Sequence, residues 1–178
     1  MNKTIPVAVI AALLSLTSCG NKQKSQNAAS ANAEAVTAST PEQVLEHIYA
    51  LVVDNYSDEA QQADASDIEE YVTPEYRDLQ EKADNKAAER GEAGPVDWDV
   101  WTNAQDCQGL KLLGIRKVKD ENDGVVMMVT LENCGNENNV YVKMTERGKR
   151  WLISDFLYEW SDSLCSTTAS MEKWLNGK

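Results

Sequence analysis

Residues 140–157 read VYVKMTERGKRWLISDFL, and they decide the fold. Val140, Val142 and Met144 alternate with Tyr141, Lys143 and Thr145, the two-residue period of a strand with one face turned to a core. Arg147-Gly148-Lys149 is a tight polar corner, and Trp151, Ile153, Asp155 and Leu157 resume the period beyond it, so the stretch reads as a β-hairpin. Upstream, Leu110 to Val118 and Val125 to Leu131 have the same character and are joined by the polar run Lys119-Asp120-Glu121-Asn122-Asp123-Gly124. Four consecutive strands then form an antiparallel meander. In the second, both side-chain sets are apolar, Val125, Met127 and Val129 against Val126 and Met128. A strand of that kind is covered on both sides or lines a cleft.

The chain before the strands is helical. Thr40-Pro41-Glu42-Gln43 supplies an N-cap hydroxyl, a proline at the first helical position and a glutamine at N3. Val44, Leu45, Ile48, Leu51, Val52 and Tyr56 follow at three- and four-residue spacing and make one apolar face. Ser66-Asp67-Ile68-Glu69 opens a short helix through Tyr71, and Thr73-Pro74-Glu75 opens another that runs to Arg90, where Gly91 and Gly94-Pro95 stop it. The apolar face of that helix, Leu79, Ala83 and Ala87, is thin and suits an edge of the core. Met171, Trp174 and Leu175 fit a short final helix. Helices first and sheet after predict an α+β class with one domain over residues 40–178, its helices packed on the four-stranded meander.

The N-terminus carries an address. Lys3 precedes an apolar run from Ile5 to Leu14, and Leu16-Thr17-Ser18-Cys19 ends it on small residues and a cysteine, which is the layout of an export signal over residues 1–18. The four-residue end resembles a bacterial lipoprotein lipobox, which implies cleavage before Cys19 and acylation of that cysteine. About 14 apolar or small residues are too few to span a hydrocarbon core of roughly 30 Å, so the expected attachment to the membrane is lipid on Cys19. Gly20 follows, not the aspartate that retains enteric lipoproteins in the inner membrane, and the resemblance therefore implies the outer membrane, with the periplasmic face or the cell surface left open. Residues 19–39 are the lipidated cysteine and an Ala, Ser, Asn and Thr tether with little to bury. The net charge of -12 repels phosphates and anionic headgroups, which argues against a nucleic-acid partner.

Three segments carry a second resemblance. Tyr71-Val72-Thr73-Pro74-Glu75-Tyr76, then Asp97-Trp98-Asp99-Val100-Trp101 with Gln105-Asp106, then Lys149-Arg150-Trp151-Leu152-Ile153-Ser154-Asp155-Phe156 resemble, in order and spacing, an uncharacterised family of bacterial envelope proteins. That resemblance spans about Pro41 to Tyr158 and implies a nuclear-transport-factor-2-like, cystatin-like cone. The superfamily hosts enzymes, carriers and structural modules, so function has to come from residues.

Asp97, Asp99, Asn103 and Asp106 offer oxygen ligands at loop spacing, but counting from Asp97 the calcium-loop pattern fails at Trp101 and Gln108 and lacks its glycine, so no metal is expected. Asp side chains capping a long connector, with Trp98, Val100 and Trp101 plugging it onto the core, is the plainer account. The single histidine, His47, has no nucleophile or carboxylate arranged with it in sequence. Asp99, Asp106 and Asp155 could form a paired-carboxylate acid/base site if they met, which makes a small hydrolase-like or isomerase-like enzyme the rival to a binding or structural module without cofactor. For the module, the expected contacts to an envelope protein, peptide or glycan are Trp98, Trp101, Tyr141 and Trp160, since aromatic side chains dominate binding hot spots. Tyr49, Tyr56, Met127, Met144, Trp151 and Phe156 are expected to line the opening of the cone.

With Cys19 lipidated, Cys107, Cys134 and Cys165 remain, so one internal disulfide and one leftover thiol are expected in an oxidising compartment. Folding the strands about their turn brings Cys107 near Cys134, the expected pair. Asp162-Ser163-Leu164 resembles the acceptor for protein O-glycosylation in some Gram-negative bacteria and makes Ser163 a candidate site.

Overall fold

The computed structural model describes residues 40–56, 66–105 and 109–177. Helix α1 spans Pro41–Asn55 and opens on the expected reciprocal cap, with the Thr40 amide donating to Gln43 Oε1 at 3.0 Å and the Gln43 amide to Thr40 Oγ1 at 3.4 Å. Helix α2 is the single turn Ser66–Glu69, and α3 spans Pro74–Arg90 between its Thr73 N-cap and Gly91, whose φ of 63° supplies the left-handed stop. The strands are β1 Lys111–Glu121, β2 Gly124–Asn133, β3 Asn136–Arg147, β4 Arg150–Trp160 and β5 Ser163–Ser166, and helix α4 spans Thr167–Leu175.

All neighbouring strands pair antiparallel in the order β1-β2-β3-β4-β5. The expected class is therefore found, a helical layer before a meander, with two corrections. The sheet has five strands, because β5 turns back on the end of β4 through Ser161 and Asp162, which take φ values of 50° and 63°. Non-glycine residues in that conformation hide the turn from a search for glycine signals. The sheet is also open, with β1 and β5 as its edges, and is not closed into a cone. The first half of β4's margin away from β3, ahead of the stretch paired with β5, is covered by the segment before α3. The Thr73 amide donates to the Ile153 carbonyl and the Ile153 amide to the Tyr71 carbonyl, both at 2.8 Å, so Val72 bridges Ile153 in parallel.

Register decides which side chains face the helices. Met127 lies opposite Val142, and Val142 opposite Phe156; Val125 pairs with Met144, and Met144 with Ile153. These residues join Val44, Leu45, Ile48, Tyr49 and Val52 of α1 in one buried cluster. Each such side chain removed from water contributes about 1.5–3 kcal/mol, so α1 is held by the sheet more than by its own propensity. Tyr49, Met127 and Met144, expected at an opening, are 0% exposed and belong to this core. The double apolar character of β2 has its first explanation, cover on both sides: Val126 and Met128 are buried outside the main cluster. Arg116 Nη2 donates to Met128 Sδ at 3.3 Å, and Lys143 pairs with Glu121 at 3.0 Å and Asp123 at 2.9 Å, strapping the β1–β2 turn onto β3.

Candidate functional site

The connector between α3 and β1 is built from short-range bonds. Asp99 Oδ1 accepts the Trp101 amide at 2.8 Å, the Asp99 carbonyl accepts the Asn103 amide at 2.8 Å, and Asn103 adopts φ 51°. This is the capped turn that Asp side chains favour in loops. The turn is plugged onto the sheet by its rings. Trp101 meets Phe156 edge-on at 4.9 Å between centroids, Trp98 meets Tyr158 in the same way at 5.3 Å, and Val100 between them is buried.

A groove of about 440 Å³ opens between this connector and α3. Its floor is the top of the core, Tyr76, Phe156 and Val72, each only 2–4% exposed, and Val100 and the half-buried Trp101 form one wall, so Trp101 is the ring that offers surface. The other wall is the stripe Arg77, Gln80, Glu81, Asp84 and Asn85, spaced three and four residues apart on α3, and Glu69 stands at one end. The volume falls in the range of roughly 300–1,000 Å³ typical of ligand sites. Asp84 loses enough water here that its carboxyl pKa is pushed up by burial. Tyr76 is fixed from below, its ring 5.5 Å from Phe156 and its hydroxyl 3.0 Å from Thr167 Oγ1, and burial raises its pKa.

Of the expected binding residues, Trp101 and Phe156 come together in this groove. Trp98 lies in a shallower depression of about 360 Å³ with Asn103, Tyr158 and Glu159. Tyr141 is buried and donates to Glu159 Oε1 at 2.8 Å, while Trp160, at the β4–β5 turn, is 69% exposed. Trp151 and Tyr56 are partly buried against the core. Tyr76, Arg77, Glu81 and Asp84 were not singled out in sequence. The signal was present as a polar stripe of helical period beside Tyr76, Ala83 and Ala87, and reads equally as an ordinary solvated face.

The candidate carboxylates are placed separately. Asp99 Oδ2 accepts the Tyr56 hydroxyl, which ties the end of α1 to the connector. Asp155 accepts from the Ser166 hydroxyl, from Thr167 Oγ1 at 2.9 Å and from the Thr168 amide at 3.0 Å, which makes it the anchor of the N-terminus of α4. Neither residue lines the groove. Asp106 lies outside the described residues, as do Cys19 and Cys107; Cys134 is exposed at the β2–β3 turn, and Ser163 is exposed at the start of β5. Among the described residues, no group of three His, Cys, Asp or Glu side chains could hold a metal ion, and no helix is long and apolar enough to cross a membrane.

Burial raises the Asp99 pKa, with the Trp101 and Thr102 amides pulling the other way. A carboxyl raised in the folded state holds a proton there that the unfolded chain has released. Its contribution to stability is thus present below the ordinary value near about 4 and is lost as pH climbs through the folded value. Asp99→Asn is expected to flatten the fall in stability above about pH 4, read as the difference in urea midpoint between variant and parent at a series of pH values; equal slopes would refute it. Tyr49 gives a second expectation. Its hydroxyl is fully buried, has no hydrogen-bond partner among the described residues and feels the Asp99 charge. Tyr49→Phe is expected to leave stability unchanged or raise it by about 1 kcal/mol, and a loss on thermal unfolding would show a bond there.

Comparison of the chain with family models, with curated proteins and with solved structures finds no match.

Proposed function

We propose that the chain is a lipid-anchored module of the bacterial cell envelope that binds a protein, peptide or glycan ligand in the groove between α3 and the connector, without chemistry on it. The observation that carries this reading is the groove itself, about 440 Å³ with the Trp101 ring on one side and a polar wall on the other. Shape and composition of that kind suit recognition through ring contacts with a polar rim. The helices-on-sheet arrangement supports a nuclear-transport-factor-2-like, cystatin-like relationship, in a variant whose sheet stays open. Lipid on Cys19 and an outer-membrane location rest on the layout of residues 1–19. The expected Cys107–Cys134 disulfide rests on the same export reading.

The enzyme reading with Asp99, Asp106 and Asp155 has less support, because Asp99 and Asp155 spend their oxygens on different structural partners. Two measurements test the proposal. A panel of envelope peptides and glycan fragments, screened by ligand-observed NMR, is expected to give a saturable binder whose affinity falls about tenfold in Trp101→Ala. Binding that Trp101→Ala leaves untouched would move the site elsewhere. Intact mass of the membrane-extracted protein is expected to show a chain starting at an acylated Cys19, and an unprocessed N-terminus would remove the anchor.

A further inference from the structure

The charges around the groove are unbalanced in a way that selects its ligand. Glu69, Glu81 and Asp84 face it with Arg77 as the cation in its lining, and none of the four makes an ion pair among the described residues. Three other carboxylates of this helix and its neighbours find cations, Asp78 with Lys82 at 2.6 Å, Glu75 with Arg147 at 3.6 Å and Glu70 with Arg150 at 3.5 Å, while Glu89, away from the groove, makes no ion pair among the described residues. The groove carboxylates thus stand unneutralised across from the half-buried Trp101 ring. A Lys or Arg side chain satisfies both halves of that arrangement, its charged head among carboxylates and its stem or guanidinium plane on a ring.

Resting on the groove being a binding site, we propose that its ligand is a basic peptide segment of a partner protein, docked with a Lys or Arg side chain between Asp84, Glu81 and the Trp101 ring. The α3 stripe favours a peptide over a small cation. It runs from Arg77 to Asn85, two turns of helix or roughly 12 Å of wall, and carries the amides of Gln80 and Asn85 between and beside its charges, groups suited to bonding a peptide backbone. Arg77 sits at one end of this wall, so it disfavours a second cation there and sets the direction in which the peptide lies.

The test uses the full chain, labelled with nitrogen-15 in detergent, titrated with acetyl-tetralysine amide and followed at the indole resonances. The expected result is saturable movement of the Trp101 signal with the Trp174 signal still, weakened as salt rises. Asp84→Asn should weaken binding by about threefold and Arg77→Gln should tighten it by a similar factor, opposite signs that a purely structural effect of either change does not produce. Glu132→Gln, on β2 and paired with Lys111, should change neither. If acetyl-tetraglutamate amide or a neutral oligosaccharide moves Trp101 and the lysine peptide does not, the cationic ligand is wrong and the groove stands as a site. If spermidine binds as tightly as the peptide, the peptide is wrong. If nothing in the panel moves Trp101, the groove fails as a binding site and this inference fails with it.

Discussion

Gly124→Ala should destabilise the domain by about 3 kcal/mol, the upper end of the usual cost of overpacking. Gly124 begins β2 directly after the β1–β2 turn, where the backbone of β3 passes against it. A Cβ at that position would stand 2.0 Å from the Met144 carbonyl oxygen and 3.0 Å from its carbon. Those are backbone atoms of a central strand, paired on both sides, so they cannot yield as the end of a flexible side chain would. Gly114→Ala is the matched control, since an added methyl there meets nothing within 4 Å and its φ is not positive. It should stay within about 0.5 kcal/mol of the parent. Urea midpoints of the two variants decide the matter, and equal midpoints would mean that β2 and β3 separate more easily than their register implies.

Removing the carboxylate of Asp155 should cost nearly as much, about 3 kcal/mol for Asp155→Ala, because charged hydrogen bonds are worth roughly 1.5–3 kcal/mol and the donors left behind are buried at Thr167 and partly buried at Ser166 and Thr168. Thr167 is 1% exposed and Asp155 7% exposed, so water does not replace the lost acceptor freely. Asp155→Asn keeps one acceptor oxygen and should lose about half as much. The damage should also be local before it is global. α4 lies on α3 through Trp174, over which Lys86 Nζ sits at 5.0 Å and Arg90 at 5.5 Å from the ring, and Lys86 also donates to the Leu175 carbonyl at 2.7 Å. Faster amide exchange over residues 167–175, with β2 and β3 still protected, is the expected signature in Asp155→Asn. Uniform loss of protection would show that α4 does not come away separately.

Much of the architecture was legible because its signals are local. Thr40-Pro41 and Thr73-Pro74 announce helices that start where expected, and α3 ends at Arg90 before Gly91 as its residues dictate. β2, β3 and β4 carry their period in their own sequence, whereas β1 runs further than expected: Lys119, Asp120 and Glu121, read as part of a polar turn, pair with Val126, Val125 and Gly124 because an exposed edge strand tolerates charge. β5 was not legible, since four residues are too short for a period and its turn uses Ser161 and Asp162 where glycine or asparagine is the usual signal. Asp155 was read as a candidate for chemistry because a carboxylate in a strand stands out. Its partners lie eleven to thirteen residues away across the β4–β5 turn, and only the fold brings them to it. The groove was hidden for the same reason. Its floor joins Tyr76 and Val72 to Phe156, and its aromatic wall comes from the connector, so no one stretch of chain contains it.

The pairing of Val72 with Ile153 ties together chain positions about eighty residues apart, and the apolar face of α1 closes on β1 and β2, the latter from a comparable distance. On a ribosome adding roughly 5–20 residues per second, about eighty more residues must be made before that face finds its cover, a wait of about 4 to 16 seconds. During this interval Val44, Leu45, Ile48, Tyr49 and Val52 have no interior to enter. A nascent chain of this layout is a natural client for holding factors that bind apolar helices.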